Sequence, residues 1–174
     1  MADIRVIHTI AGTRVDHGGT SRCVPSLCDT LVEVGATVQF VAGCPANAAV
    51  ECIYPKKVDC VRTVVESRVH RAWGMASHFQ QALRCCLDSV EGFHGIVHDH
   101  GLWLPTNRAV AKESRRQEIA RIVSPHGMLS QWAMGNGRMK KKIAWRLFQR
   151  HDLQSATAFH ATGDQEAEDL RALG

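Results

Sequence analysis

Three short stretches carry the residue types best suited to chemistry. In "DHGGTSR", Asp16 to Arg22, the adjacent Gly18 and Gly19 are followed by Thr20, Ser21 and Arg22. Paired glycines let the backbone approach a ligand closely. A helix starting behind them offers unpaired N–H groups and positive dipole potential to a phosphate or a sugar hydroxyl. The stretch fits neither GxGxxG nor GxxxxGK[ST], so it marks neither a nicotinamide dinucleotide site nor a P-loop, and an ordinary tight turn accounts for the glycines equally well. In "HDHG", His98 to Gly101, alternation along a strand puts His98 and His100 on one face and sends Asp99 to the other. Such residues can ligate a metal, bond to one another at a strand end, or, for His100, contact a polar substrate; no metal is expected there. In "SPHGML", Ser124 to Leu129, Pro125 and Gly127 would fix a turn that presents His126 either to substrate or to a structural hydrogen bond. No Ser or Cys in a recognisable nucleophile motif accompanies it.

These stretches share a location only if the elements around them alternate. Strands are expected near residues 4–10, 37–42, 59–65, 95–99, 120–124 and 157–161. Helices are expected over about 21–34, 77–90, 104–117 and 138–151 and from about 164 to the end, with a loop over 44–57. That order predicts an α/β, Rossmann-like, doubly wound domain over 1–174, with a mainly parallel sheet of about six strands and helices on both faces. The first helix would bury Val24, Leu27, Cys28, Leu31 and Val34, tolerate Pro25 in its first turn, take Thr20 or Ser21 as N-cap and end at Gly35. The second would bury Phe79, Ala82, Leu83, Cys86 and Val90, and Gly174 reads as a C-cap for the last. Ligands of such sheets bind at the carboxyl ends of the strands, near the point where strand order reverses. Each of the three stretches follows a strand, as do Thr162, Gly163 and Asp164.

Composition narrows the classes. Hydrophobic residues make up 45% and charged residues 22% of 174, enough to bury a core without disulfides. The seven cysteines are odd in number, scattered and without a CxxC, and read as reduced core residues. No apolar run has the length of a membrane span and the N-terminus lacks the pattern of a secretory signal, so a cytoplasmic location is expected. Charge is uneven: Arg108 to Arg150 holds eleven Lys/Arg against two acids, which points to an anionic contact in the middle of the chain. There "RMKKKIAWRLFQR" sets Met139, Ile143 and Leu147 among Lys140, Lys141, Lys142, Arg146 and Arg150. Such a helix either lays its apolar stripe on the core or rests peripherally on an anionic membrane surface; nucleic acid is not expected.

With these residues in place, the chain resembles from end to end the N-terminal domain of a GT-B fold glycosyltransferase of the large retaining group called glycosyltransferase family 4, or group 1. The likeness runs through "HGGTSRCVPSLCDTLVEVGATVQFVA", "GIVHDHGLW", "SPHGMLSQWA", the basic helix ending "RHDLQSA" and "FHATGDQEAEDLRALG", in that order and spacing. The resemblance implies the acceptor-binding half of an enzyme that moves a hexosyl group, with retention, from a UDP- or GDP-linked sugar to a saccharide or lipid-linked acceptor in polysaccharide biosynthesis. The nucleotide-sugar is a co-substrate, and neither a cofactor nor a metal is implied. By the same resemblance Gly18, Gly19 and Thr20 lie near donor phosphates and acceptor, His126 faces the reacting sugar as the catalytic residue, and His100 lies beside the acceptor path. Lys140, Lys141, Lys142 and Arg146 match the patch by which such enzymes reach lipid-linked acceptors at the inner face of a membrane. Thr20 stands where the family more often has Pro or Ala. The family's donor domain has no counterpart in 1–174, so this chain alone is expected not to turn over, the donor side being supplied in cis or in trans. Two other readings stand beside it: a non-catalytic α/β binding module acting through the basic helix 138–151, and a metal-dependent hydrolase built on His98, Asp99 and His100.

Overall fold

The β-branched run near the start of the chain forms β1 (Arg5–Ile10), and the alternation of its side chains sets the layers of the molecule. The structure is a computed structural model that describes residues 5–47, 49–65, 73–88 and 95–172. The expected contributions of Ile4, Val90 and Gly174 lie outside the described residues. β1 pairs in parallel with β2 (Thr37–Cys44) on one side and β4 (Gly95–His100) on the other. β3 (Cys60–Val65) lies outside β2, and β5 (Ala120–Ser124) and β6 (Ala158–Phe159) lie beyond β4. The order β3-β2-β1-β4-β5-β6 is the doubly wound sheet expected, and it reverses between β1 and β4.

Helices cover both faces of the sheet. Ile7, Val41 and Val97 point to one layer, where they pack with Phe79 and Leu83 of α2 (Trp73–Asp88) and Val110 of α3 (Pro105–Arg116). Ile10, Val38 and Phe40 point to the other and meet Val24 and Cys28 of α1 (Thr20–Glu33). Each such side chain contributes roughly 1.5–3 kcal/mol by leaving water, so the two layers together anchor the sheet. Asp99 points toward α3, as alternation predicts: its carboxylate accepts from Thr9 Oγ1 (2.9 Å) and Asn107 Nδ2 (3.0 Å) and pairs with Arg121 (3.4 Å). Burial pushes its carboxyl up to about 6, against the pull of Arg121 and these hydrogen bonds. His98 and His100 therefore face the α1 side.

Several local expectations are corrected. Neither Thr20 nor Ser21 caps α1: Gly19 is the N-cap and already has helical dihedrals, while Ser21 Oγ donates to the Gly18 carbonyl (2.7 Å). The helix therefore starts one residue early, which moves Pro25 into its second turn. Val34 is exposed, because at about 100° per residue it falls roughly 80° away from Val24, and it lies past the last helical residue. All seven cysteines are free, yet only Cys28 and Cys86 are buried, and Cys23 and Cys85 are exposed.

The basic segment departs furthest. A short helix not read from sequence, α4 (Gln131–Gly135), precedes it, capped by Ser130 Oγ, which accepts the Ala133 N–H. α5 (Arg138–Ala144) then runs through a π-helical turn, Trp145–Gln149, into α6 (Arg150–Gln154). The core-facing series is Trp145, Gln149 and Leu153: Trp145 meets the Trp103 ring, and Gln149 Oε1 accepts the Trp103 backbone N–H (2.9 Å). Met139, Ile143 and Leu147 repeat with the same spacing of four but are displaced by two residues, about 200° round the helix. They stand 72%, 54% and 70% exposed. The apolar stripe expected on the core thus faces outward. The last helix, α7 (Asp164–Arg171), follows β6. Among the described residues no helix is long and apolar enough to cross a membrane.

Candidate functional site

At the carboxyl edge of the sheet three turns converge. Beyond β1 a 3-10 turn (Val15–His17) leads to Gly18, whose φ of +88° is a conformation glycine adopts freely. Gly19 is different: its φ is an ordinary −60° and a Cβ there would meet nothing within 4 Å among the described residues. Neither strain nor crowding inside the protein requires glycine at 19, so what its missing side chain leaves is bare, approachable backbone at the start of α1. Ile10, Gly12, Thr20, Ser21, His100 and Leu104 help to line a cleft of about 410 Å³ between this turn and the end of β4, at the point where strand order reverses.

Beyond β5, His126 (φ +53°) and Gly127 (φ +75°) are both left-handed. A non-glycine residue in that region costs roughly 1–2 kcal/mol, so something must hold it. The holder is Glu166, in the first turn of α7. Its Oε1 accepts the Gly127 N–H (2.6 Å), and its Oε2 accepts the Thr162 N–H (2.6 Å) and Oγ1 (2.8 Å). Burial raises the carboxyl, but the bonds from Thr162 and Gly127 outweigh it and hold Glu166 below the usual carboxylate range. Replacing Glu166 by Ala is expected to lower stability by about 2 kcal/mol, the scale of a lost charge-assisted bond, as read from urea unfolding at pH 7.

The imidazoles of the two remaining stretches do meet, together with histidines that sequence reasoning missed. His8 Nδ1 lies 2.9 Å from His100 Nε2, and His100 Nδ1 lies 2.9 Å from His126 Nε2. In a second branch Ser124 Oγ sits 2.7 Å from His98 Nε2 and 2.9 Å from His160 Nδ1. Burial, reinforced by the neighbouring imidazoles, pushes His8 down to about 3, His98 to about 4 and His100 well below its ordinary value. Burial also lowers His126, against the pull of Glu166. These rings are neutral at pH 7. His100 lines the cleft, but both its nitrogens are taken by other histidines, so neither is left for a ligand. Among the described residues one group could hold a metal, His8, His98 and His100, with ring nitrogens within 4.8 Å of one another. His98 lies over His100 with centroids 4.2 Å apart and His8 is within 11° of the His100 plane. In-plane lone pairs on rings so arranged do not aim at one point.

The patch on the basic helix stands apart from this edge. Lys140, Lys142 and Arg146 are exposed, while Lys141 lies over the Trp103 ring at 5.5 Å and donates to the Ala133 carbonyl. Arg138, Lys141, Lys142 and Arg146 line a groove of about 870 Å³ between α4 and α5, and none of these residues lines the cleft beside Gly18.

Neither His8 nor Glu166 carried a sequence signal of its own: His8 sits inside an apolar run, and Glu166 reads as an acid at a helix start. The sequence profile of the glycosyl transferase 4-like domain matches residues 18–174, from the glycine turn to the last helix. The chain belongs to this family. No curated protein matches it.

Proposed function

We propose that this glycosyl transferase 4-like domain supports transfer of a hexosyl group, with retention, from a UDP- or GDP-linked donor to a saccharide or lipid-linked acceptor, and that it binds the acceptor side of the reaction. The observation that carries the reading is the pairing, across the reversal of strand order, of a bare glycine turn with an uncharged histidine held in a left-handed turn. Gly18, Gly19 and Thr20 would bring backbone N–H groups to phosphate or sugar oxygens, and His126 would orient the transferred sugar. The donor diphosphate would be gripped by a second domain of the family, in cis or in trans, as a GT-B enzyme requires. No cofactor or metal enters this scheme. The direct test is transfer of label from UDP- and GDP-hexoses to saccharide and polyprenyl-phosphate acceptors, with a donor-binding domain of the family added where the chain alone is silent. Label in the acceptor supports the reading, and donor hydrolysis or silence across the panel removes it.

The outward stripe of Met139, Ile143 and Leu147, flanked by exposed Trp132 and the lysines, favours peripheral contact with an anionic membrane, on its cytoplasmic side. Neutralising Lys140 and Lys142 together as Gln should weaken binding to anionic vesicles about thirtyfold, at roughly 1 kcal/mol per charge near the surface. Lys141 is spared because it supports Trp103. Sedimentation with phosphatidylserine vesicles reads the change. The same variant separates the rival binding-module reading. If the module is right, it abolishes function while substitutions at His126 do nothing.

A further inference from the structure

We propose that the buried His8 and His100 are positioning residues that fix His126 as its Nδ1–H tautomer, so that His126 meets the sugar as a hydrogen-bond donor and not as a base. This rests on the reading of His126 as the ligand-facing group.

The row is planar enough to be a true chain of N–H···N bonds. The His8 and His100 rings lie within 11° of one plane and those of His100 and His126 within 27°, with nitrogens 2.9 Å apart at both junctions. A neutral imidazole has one N–H and one bare nitrogen. Because His100 is joined at both nitrogens, it must donate to one neighbour and accept from the other. All protons in the row therefore point the same way, inward to His8 or outward to His126.

The free end of the row selects the direction. His8 Nε2 is buried and has no hydrogen-bond partner among the described residues. Pointing inward would put a proton on that nitrogen, leaving an N–H buried with nothing to bond, a situation that folded proteins almost never tolerate. Pointing outward leaves only a bare lone pair there, in agreement with the resistance of His8 to protonation. The flanking groups do not divert the row: His98 spends Nε2 on Ser124, His160 bonds the same hydroxyl, and both oxygens of Glu166 are taken by Gly127 and Thr162. With the row outward, His126 Nε2 accepts from His100 and the proton sits on Nδ1, which no described residue bonds. His126 then has no lone pair left to take a proton. It can only donate, to a sugar hydroxyl oxygen or a departing oxygen.

The test is nitrogen NMR of the histidine-labelled chain at pH 7. The expected result is His126 protonated on Nδ1, with scalar couplings across both inter-ring bonds, and conversion of His126 to the Nε2–H form that free imidazole favours in the His100→Phe variant. The inference is overturned by Nε2–H in the wild type, by absent couplings, by an unchanged tautomer in His100→Phe, or by tight zinc uptake on His8, His98 and His100 in the purified chain. The wild-type spectrum decides even if the variant does not fold. An Nε2–H spectrum alongside a His126-dependent transferase sinks this inference and leaves the function. An Nδ1–H spectrum with transfer indifferent to His126 does the reverse.

Discussion

Taking the protein from pH 7 to pH 5 is expected to remove about 5 kcal/mol of folding stability, much of what a typical domain possesses. His8, His98 and His100 are held neutral by burial and by one another. In the unfolded chain each titrates near the ordinary 6.5. Below that pH the unfolded state binds more protons than the native one, so stability falls as the solution is acidified. Each of the three contributes about 2 kcal/mol of loss between pH 7 and 5. Asp99 acts in the opposite sense: its raised native value of about 6 lets the folded state take up a proton first. That returns about 1 kcal/mol over the same interval. Glu113, held down at about 2 against burial by the bonds of Arg116, Arg84 and Gln80, stays ionised in the native state and adds little above pH 5. Urea unfolding at the two pH values measures the difference. A change under about 1 kcal/mol would mean that the imidazole row is not buried and neutral as described.

With a donor-binding domain supplied, replacing His126 by Ala is expected to lower kcat/KM for the proposed hexosyl transfer by about 10²–10³, the usual cost of removing one preorganised donor from a developing charge. Alanine also strains the backbone, because position 126 is left-handed. Asparagine tolerates that region and keeps an N–H donor, so His126→Asn should fold like the wild type and retain part of the lost rate. Steady-state transfer kinetics for both variants separate the two effects. Equal losses in Ala and Asn, each matched by a loss of stability, would assign His126 to the turn and not to the sugar.

The sheet was legible because its signal is local. Most strands carry β-branched residues, as in β1 and β3, the long helices have a repeating apolar face, and the alternation of the two leaves few topologies. Alternation alone also placed His98 and His100 on one face and Asp99 on the other. What could not be read was long-range. His8 becomes part of the edge only because β1 lies beside β4 with His8 level with His98. Glu166 matters only because α7 returns to the turn after β5. The basic helix misled for a geometric reason: two series of large side chains, Met139–Ile143–Leu147 and Trp145–Gln149–Leu153, share a spacing of four, and periodicity does not say which of them faces inward. The partner that decides it, Trp103, lies about forty residues away in sequence.

On the proposed function, sugar binds at the carboxyl edge between the glycine turn and His126. The measurement that tests it most directly is an amide and histidine-ring NMR titration of the chain with UDP-hexose, GDP-hexose and an oligosaccharide acceptor in turn. Saturable shifts are expected at Gly18, Gly19, Thr20, His100 and His126 with at least one of these ligands, and none at the Lys140–Lys142 patch with the uncharged saccharide. Shifts confined to the basic helix, or saturation with no change at Gly19 and His126, would contradict it.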